Sequence, residues 1–171
     1  MERAFFGTYA GRVAGIHFRP IAETDHLFLF ELYASTRAQE LAPLPWPDAA
    51  KRAFLTQQFT AQHTFYQQAY GDSDFLLVLR DDEPIGRIYV HRTAGQICVV
   101  DIALLPQYCG QGIGTALLTE LIDEARKTSC EINLHVEPNN PAQRLYTRLG
   151  FCLVENRGAY DYLVLEPLGS D

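Results

Sequence analysis

The sequence predicts a single mixed α/β domain, and three observations lead there. Stretches of period two and stretches of helical period alternate as strand, two helices, three strands, helix, strand, helix, two strands. No internal repeat, low-complexity run or linker interrupts that order. The most apolar strand of the set then feeds through a glycine-rich turn into an amphipathic helix. The 171 residues suit one domain, 1–171, since a chain of about 150 residues buries roughly 70% of its unfolded surface.

IHFRPI (16–21) alternates apolar and polar residues and reads as a strand. Thr24 or Asp25 offers a cap for a helix over HLFLFELYASTRAQEL. APLPWPD (42–48) is broken by prolines, and Asp48 starts the next helix. Along that helix Phe54, Leu55, Gln58, Phe59, Gln62 and Tyr66 fall near one side. FLLVLR (75–80), IGRIYVHR (85–92) and ICVVDIALLP (97–106) are strands joined by the turns DDEP and TAGQ. The last of the three is the longest and most apolar, as a central strand requires. The helix beyond it puts Ile113, Leu117, Leu118, Leu121, Ile122 and Ala125 on one face, with Arg126 and Lys127 at the C-terminal end of its dipole. EINLHV (131–136) is a further strand. In NNPAQRLYTRLG, Asn140 reads as an N-cap, Pro141 as the first helical residue and Gly150 as a C-terminal stop. FCLVEN and YDYLVLEP close the order as two strands around Gly158.

Charge removes several classes of function. Fourteen basic against twenty-one acidic residues give a net charge of −7, a field that repels nucleic acid and anionic membrane. No Lys/Arg-rich stripe offsets it, so neither is an expected partner. The opening residues hold no apolar run long enough for a signal peptide, and no stretch approaches transmembrane length. Cys98, Cys109, Cys130 and Cys152 lack paired zinc-site spacing and fit reduced thiols, which places the protein in the cytoplasm. His17, His26, His63, His91 and His135 are equally scattered, so no metal is expected.

The turn LLPQYCGQGIG poses the chemical question. Gly110, Gly112 and Gly114 stand at alternate positions where a helix begins, although Gly costs roughly 0.5–1 kcal/mol relative to Ala inside a regular element. A strand, a glycine-rich loop and a helix N-terminus together form an anion site, with bare N–H groups and the positive dipole end aimed at the ligand. The P-loop pattern fails because no Lys follows the glycines. The dinucleotide pattern G-x-G-x-x-G meets Thr115 and Leu117 instead of its last Gly, and PQYC separates the strand from Gly110. Glu137 does fall near where a ribose-binding acid would stand, so a Rossmann-type nucleotide site stays open in weakened form.

These residues resemble a known family. Gln107, Gly110 and Gly112 match Q-x-x-G-x-G, the pyrophosphate-loop signature of the GNAT acyl-CoA-dependent N-acetyltransferases. The longer run P-x-x-x-G-x-G-I-G-x-x-L-L is met by Pro106, Gly110, Gly112, Ile113, Gly114, Leu117 and Leu118. Members with that run commonly carry Arg before the first Gly, where this chain has Cys109. A second family motif, N-x-x-A-x-x-L-Y-x-x-L-G-F, is met by Asn139, Ala142, Leu145, Tyr146, Leu149, Gly150 and Phe151. The resemblance spans roughly residues 16–166. It implies a GNAT-like fold: a central, mostly antiparallel, splayed sheet flanked by helices.

It also implies a donor and a site. Acetyl-CoA becomes the expected cosubstrate, held by Gln107, Cys109, Gly110, Gln111, Gly112, Ile113, Gly114 and Thr115, with Asn139, Ala142 and Tyr146 beside it. Backbone N–H groups at Ala103, Leu104 and Leu105 would bind pantetheine and polarise the thioester carbonyl, as an oxyanion-hole donor does. Tyr146, matching the family's helix tyrosine, becomes the expected acid toward the leaving thiolate; without the motif it reads as a core tyrosine. Asp101 is the candidate base, because an acid inside CVVDIALL is expensive to bury without purpose or partner. A structural Asp bonded to backbone fits it as well, and Glu137 and Asp161 are further base candidates.

The acceptor would be the amine of a small molecule or peptide. Glu40, Trp46, Phe59 and Tyr66 would border its cleft, although such a stripe also makes helix core. A homodimer is compatible with this reading. The rival readings are a non-catalytic acyl-CoA-binding or sensing module and the Rossmann-type domain.

Overall fold

A computed structural model describes residues 13–167, so the absence of a leader read from the first twelve residues lies outside the described residues. Strands β1 (Ile16–Pro20), β2 (Asp74–Arg80), β3 (Glu83–Thr93), β4 (Gln96–Leu104), β5 (Glu131–Val136), β6 (Cys152–Asn156) and β7 (Asp161–Leu165) form one sheet. Its order is β1-β2-β3-β4-β5-β7-β6. Helices α1 (His26–Leu41) and α2 (Asp48–Ala69) link β1 to β2, α3 (Ile113–Thr128) links β4 to β5, and α4 (Gln143–Leu149) links β5 to β6. Neighbouring strands run antiparallel except β4 and β5, where the crossover through α3 makes the pair parallel. The predicted element order is the observed one.

The two faces of the sheet carry separate cores, because successive strand residues point to opposite sides. Val78, Ile88, Val90, Ile97 and Val99 pack with Leu117, Leu118 and Leu121 of α3 and with Tyr146 and Phe151. Leu77 and Leu79 turn the other way, onto Leu29, Phe30 and Tyr33 of α1 and Leu55 and Phe59 of α2. Each fully buried Leu or Phe contributes on the order of 1.5–3 kcal/mol relative to exposure. Arg92 ties the layers together: its guanidinium donates to Asp74 at 2.6 Å and to Glu124 of α3 at 2.7 and 3.0 Å.

Two caps differ from expectation. Asp25 stands at the N-cap position of α1 without capping it. Its carboxylate instead accepts two bonds from Arg19, both 2.8 Å, and one from the Ala22 N–H. The bidentate guanidinium and the Ala22 N–H together engage both oxygens and turn them away from the start of α1. Asn140 accepts the N–H of Ala142 at 2.9 Å, so it closes a turn, and regular α4 begins at Gln143 rather than at Pro141.

Two irregularities shape β4. Tyr89 pairs with Asp101 while Val90 pairs with Val99, so Val100 is an extra, bulged residue. On the other side β4 and β5 pair only from Gln96–Glu131 to Val99–Leu134; past that point both strands continue unpaired to each other. Gly86 opposite Leu104 holds β3 against the end of β4, since a Cβ there would run into the Ala103 carbonyl and approach Leu104 Cδ2 to 2.7 Å. Gly86→Ala is therefore expected to lower stability by about 1–3 kcal/mol, read as a lower urea midpoint at unchanged slope. An unaltered midpoint would show that β4 yields freely here.

Candidate functional site

The parting of β4 from β5 leaves backbone donors exposed along one strand edge. Leu105 donates its N–H to the Ile85 carbonyl at 2.8 Å. In an antiparallel ladder donors alternate sides, so the N–H groups of Ala103 and Leu105 face β3 and those of Ile102 and Leu104 face the opening. Of the three residues predicted to present donors, the structure thus places Leu104 on the open side. Ile102 joins it, a position that sequence reasoning missed because the bulge at Val100 shifts the alternation.

The glycine turn follows directly. Pro106–Tyr108 makes a 3-10 turn, then Gly110 (φ 74°) and Gly112 (φ 82°) take left-handed conformations that favour glycine. A Cβ at either would meet nothing within 4 Å, so both face open space. Gly114 differs: it lies within α3, and its Cβ would only touch Leu145 at 3.8 Å. The first helical bond runs from the Ala116 N–H to the Gly112 carbonyl. The backbone N–H groups from Gly110 to Thr115 have no acceptor among the described residues, which is the donor array an anion requires. The Ile113 side chain is committed to the core. Gln111 binds the Gln107 carbonyl at 2.8 Å and accepts from Arg80 at 2.9 Å. The Cys109 thiol turns back to the Leu104 and Leu105 carbonyls at 3.7 and 3.6 Å.

Beside the opening lies a buried charge network. Arg87 on β3, 3% exposed, donates to Asp101 at 2.5 Å and to Gln62 of α2 at 2.9 Å. Burial by itself would lower the Arg87 pKa, but Asp101, Tyr89 and Tyr66 around it raise it beyond the ordinary value. Arg87 Nε, the Tyr89 hydroxyl and His63 Nδ1 are buried without hydrogen-bond partners among the described residues. Burial, then the neighbouring His26 and Arg87, lower the His63 pKa and favour its neutral form. Asp101 keeps its Oδ1 clear of Arg87, which binds Oδ2.

Tyr146 lies in the α3-side core, edge-on to Phe151 with centroids 5.9 Å apart. Its hydroxyl has no hydrogen-bond partner among the described residues. Burial, then the carboxylates of Asp101 and Glu137, raise its pKa; Tyr66 is raised by burial and Asp101 in the same way. The structure therefore brings Tyr146, Asp101 and Glu137 into one electrostatic neighbourhood, with Tyr66 on the α2 side. Such a set can donate a proton from a phenol and receive one at a carboxylate.

The remaining predicted residues are placed as follows. Asn139 is exposed in the turn after β5, and Ala142 packs against the core. Thr115 passes its carbonyl to the Thr119 hydroxyl. Asp161 is bonded by Gln143 at 3.0 Å and Asn156 at 2.8 Å, which commits both its oxygens. Glu40 pairs with Arg37, Trp46 packs on Phe54, and Phe59 is core. Arg87 and Gln62 were not anticipated as members of the network.

Residues 29–151 match the profile of the acetyltransferase (GNAT) family. No curated protein matches the sequence at a significant level. Among solved structures, the chain resembles the PaiA N-acetyltransferase of Thermoplasma acidophilum in complex with coenzyme A, at 20% identity and TM-score 0.65, over 88% of this chain and 98% of that one. It also resembles Arabidopsis thaliana Naa50 in complex with the bisubstrate analogue CoA-Ac-MVNAL, at 21% identity and TM-score 0.55, over 88% and 97%. A third likeness is to yncA of Salmonella typhimurium with acetyl-CoA, at 20% identity and TM-score 0.54, over 89% and 94%.

The buried phenols set a pH dependence of stability. Tyr66 and Tyr146 have folded pKa values above the ordinary one of about 10. Above that pH the unfolded chain releases phenolic protons that the folded chain keeps, so stability is complete below it and falls as the pH climbs. Urea unfolding across the alkaline range should show a shallower decline in the Tyr66→Phe/Tyr146→Phe double variant. Equal slopes in the two proteins would place the alkaline loss elsewhere.

Proposed function

The chain belongs to the GNAT acetyltransferase family, and from that premise we propose that it transfers an acetyl group from acetyl-CoA to a primary amine of a small molecule or peptide. One observation carries the reading: β4 parts from β5 beyond Val99, and its unpaired donors lead straight into the Gly110–Thr115 donor array. Solved structures of this fold holding coenzyme A, acetyl-CoA and a CoA–peptide analogue support a CoA thioester as donor and an amine as acceptor. The four free cysteines support a reducing, cytoplasmic setting.

Acetyl-CoA, when bound, supplies the acetyl group as a thioester. The array of bare N–H groups and the α3 dipole hold its diphosphate. The Ile102 and Leu104 N–H groups face the opening, where a fixed donor can stabilise the charge that develops on a carbonyl oxygen. An amine of pKa about 10 arrives mostly protonated, so a proton must leave it before attack. Asp101 receives that proton at the oxygen Arg87 leaves clear, directly or through water. Tyr146 donates its phenolic proton to the departing sulfur. Its raised pKa keeps that proton in place at neutral pH.

The Arg87–Asp101 ion pair also favours a second reading, in which Asp101 is structural and the chain binds acyl-CoA without turnover. Thiol release across a panel of amines separates the two: a binding module releases none.

Two variants refine the test. Gly112→Asp adds strain at φ 82° and a like charge where phosphate lies, so acetyl-CoA affinity should collapse in the folded variant. Retained affinity would remove the cradle assignment. Tyr146→Phe keeps the ring but loses the proton; acetyl-CoA binding should hold while turnover falls by up to roughly 10²–10⁴-fold. That loss should shrink with a donor whose leaving thiol is more acidic. Full turnover with any amine the wild type acetylates would leave Tyr146 a packing role alone.

A further inference from the structure

We propose that Arg80, reaching over from the end of β2, supplies the positive charge that binds the diphosphate of the CoA donor. The inference rests on the CoA reading above and concerns where the cation comes from.

A diphosphate brings at least two negative charges to a chain whose own net charge is −7. The stretch from Leu105 to Ala116 has no charged side chain. Position 109 carries a thiol, and it points back at the Leu104 and Leu105 carbonyls. Bare N–H groups and the helix dipole would otherwise face the whole charge unaided.

Arg80 is held against this loop. Its Nη1 donates to Gln111 Oε1 at 2.9 Å, and Gln111 is itself pinned to the Gln107 carbonyl at 2.8 Å. The guanidinium carbon lies 6.0 Å from the Tyr108 ring centroid, on the same loop. Gln111 sits between Gly110 and Gly112, whose N–H groups lack acceptors among the described residues. The side chain is thus fixed beside the donor array although it comes from a strand on the far side of β3.

Its partners explain why it is available. Arg87 and Arg92 bind carboxylates, whereas Arg80 has no carboxylate partner among the described residues. Its cross-strand neighbour Glu83 forms no ion pair with it, and nearby Asp82 binds His17 at 2.9 Å. A neutral amide oxygen leaves the guanidinium charge uncancelled. One of its five N–H donors is used on Gln111, and the fork of the remaining ones suits phosphate oxygens.

Isothermal titration of CoA and of 3′-dephospho-CoA into wild type, Arg80→Gln and Arg80→Lys tests this, each at low and high salt. In Arg80→Gln both ligands should bind roughly five- to thirty-fold more weakly, with a shallower dependence of affinity on salt. Arg80→Lys should recover part of the loss, since it restores charge without the fork. Unchanged CoA affinity in folded Arg80→Gln overturns the assignment. A loss for CoA but not for 3′-dephospho-CoA also overturns it, placing Arg80 on the 3′-phosphate. An unchanged salt dependence alongside weaker binding makes Arg80 a structural support and overturns it as well. Wild type that binds neither ligand overturns the donor reading itself, which is a different failure from wild type binding as well as Arg80→Gln.

Discussion

A parallel strand pair that holds over only four residue pairs, from Gln96 to Val99 on β4, governs the architecture of this protein. The bulge at Val100 coincides with its end, and bulges bend a strand and increase its local twist. Beyond it β4 remains paired to β3 but not to β5. The open edge that results exposes backbone polar groups, which in a folded interior are nearly always satisfied. A sheet that leaves such groups unpaired near its centre is built to receive something there, and the turn that follows continues the same row of donors.

The two cores keep that opening from closing. The α3 layer packs Leu117, Leu118 and Leu121 on one face of the sheet, and α1 with α2 packs Phe59 and Leu29 on the other. Arg87 and Asp101 occupy the α2 side, because their strand partners Ala103 and Tyr89 share that face. Breaking a buried pair of this kind by removing one partner typically costs about 3–5 kcal/mol, since the other charge is left uncompensated. The pair therefore couples chemistry to stability: Asp101 stays where it is because Arg87, itself anchored by the Gln62 amide oxygen, holds it.

Much of this was legible in the sequence. The element order followed from periodicity alone, and α3 in particular from its strongly segregated apolar face. The glycine turn was legible because Gly110 and Gly112 need left-handed backbone, which few other residues accept. Gly114 looked equivalent by spacing but is an ordinary helical residue. Which N–H groups face the opening could not be read, because a single bulged residue reverses the alternation and leaves no mark in composition. Asp25 and Asn140 read as helix N-caps, yet neither caps its helix, because their partners depend on Arg19 and on where α4 becomes regular. The Arg87 network was invisible for a similar reason: residues 62, 87 and 101 meet only after three elements have packed.

The unpaired donors of the glycine turn also leave a signature in amide hydrogen exchange. With no acceptor for the N–H groups from Gly110 to Thr115 among the described residues, no hydrogen bond within them slows replacement of those protons by deuterium. Protection begins at Ala116, whose N–H is bonded to the Gly112 carbonyl at 3.0 Å, and deepens along the buried face of α3. The free protein thus carries a sharp boundary between fast and slow amides one turn inside a helix. An anion seated on the turn would move that boundary toward Gly110, so the site reports its own occupancy without any label.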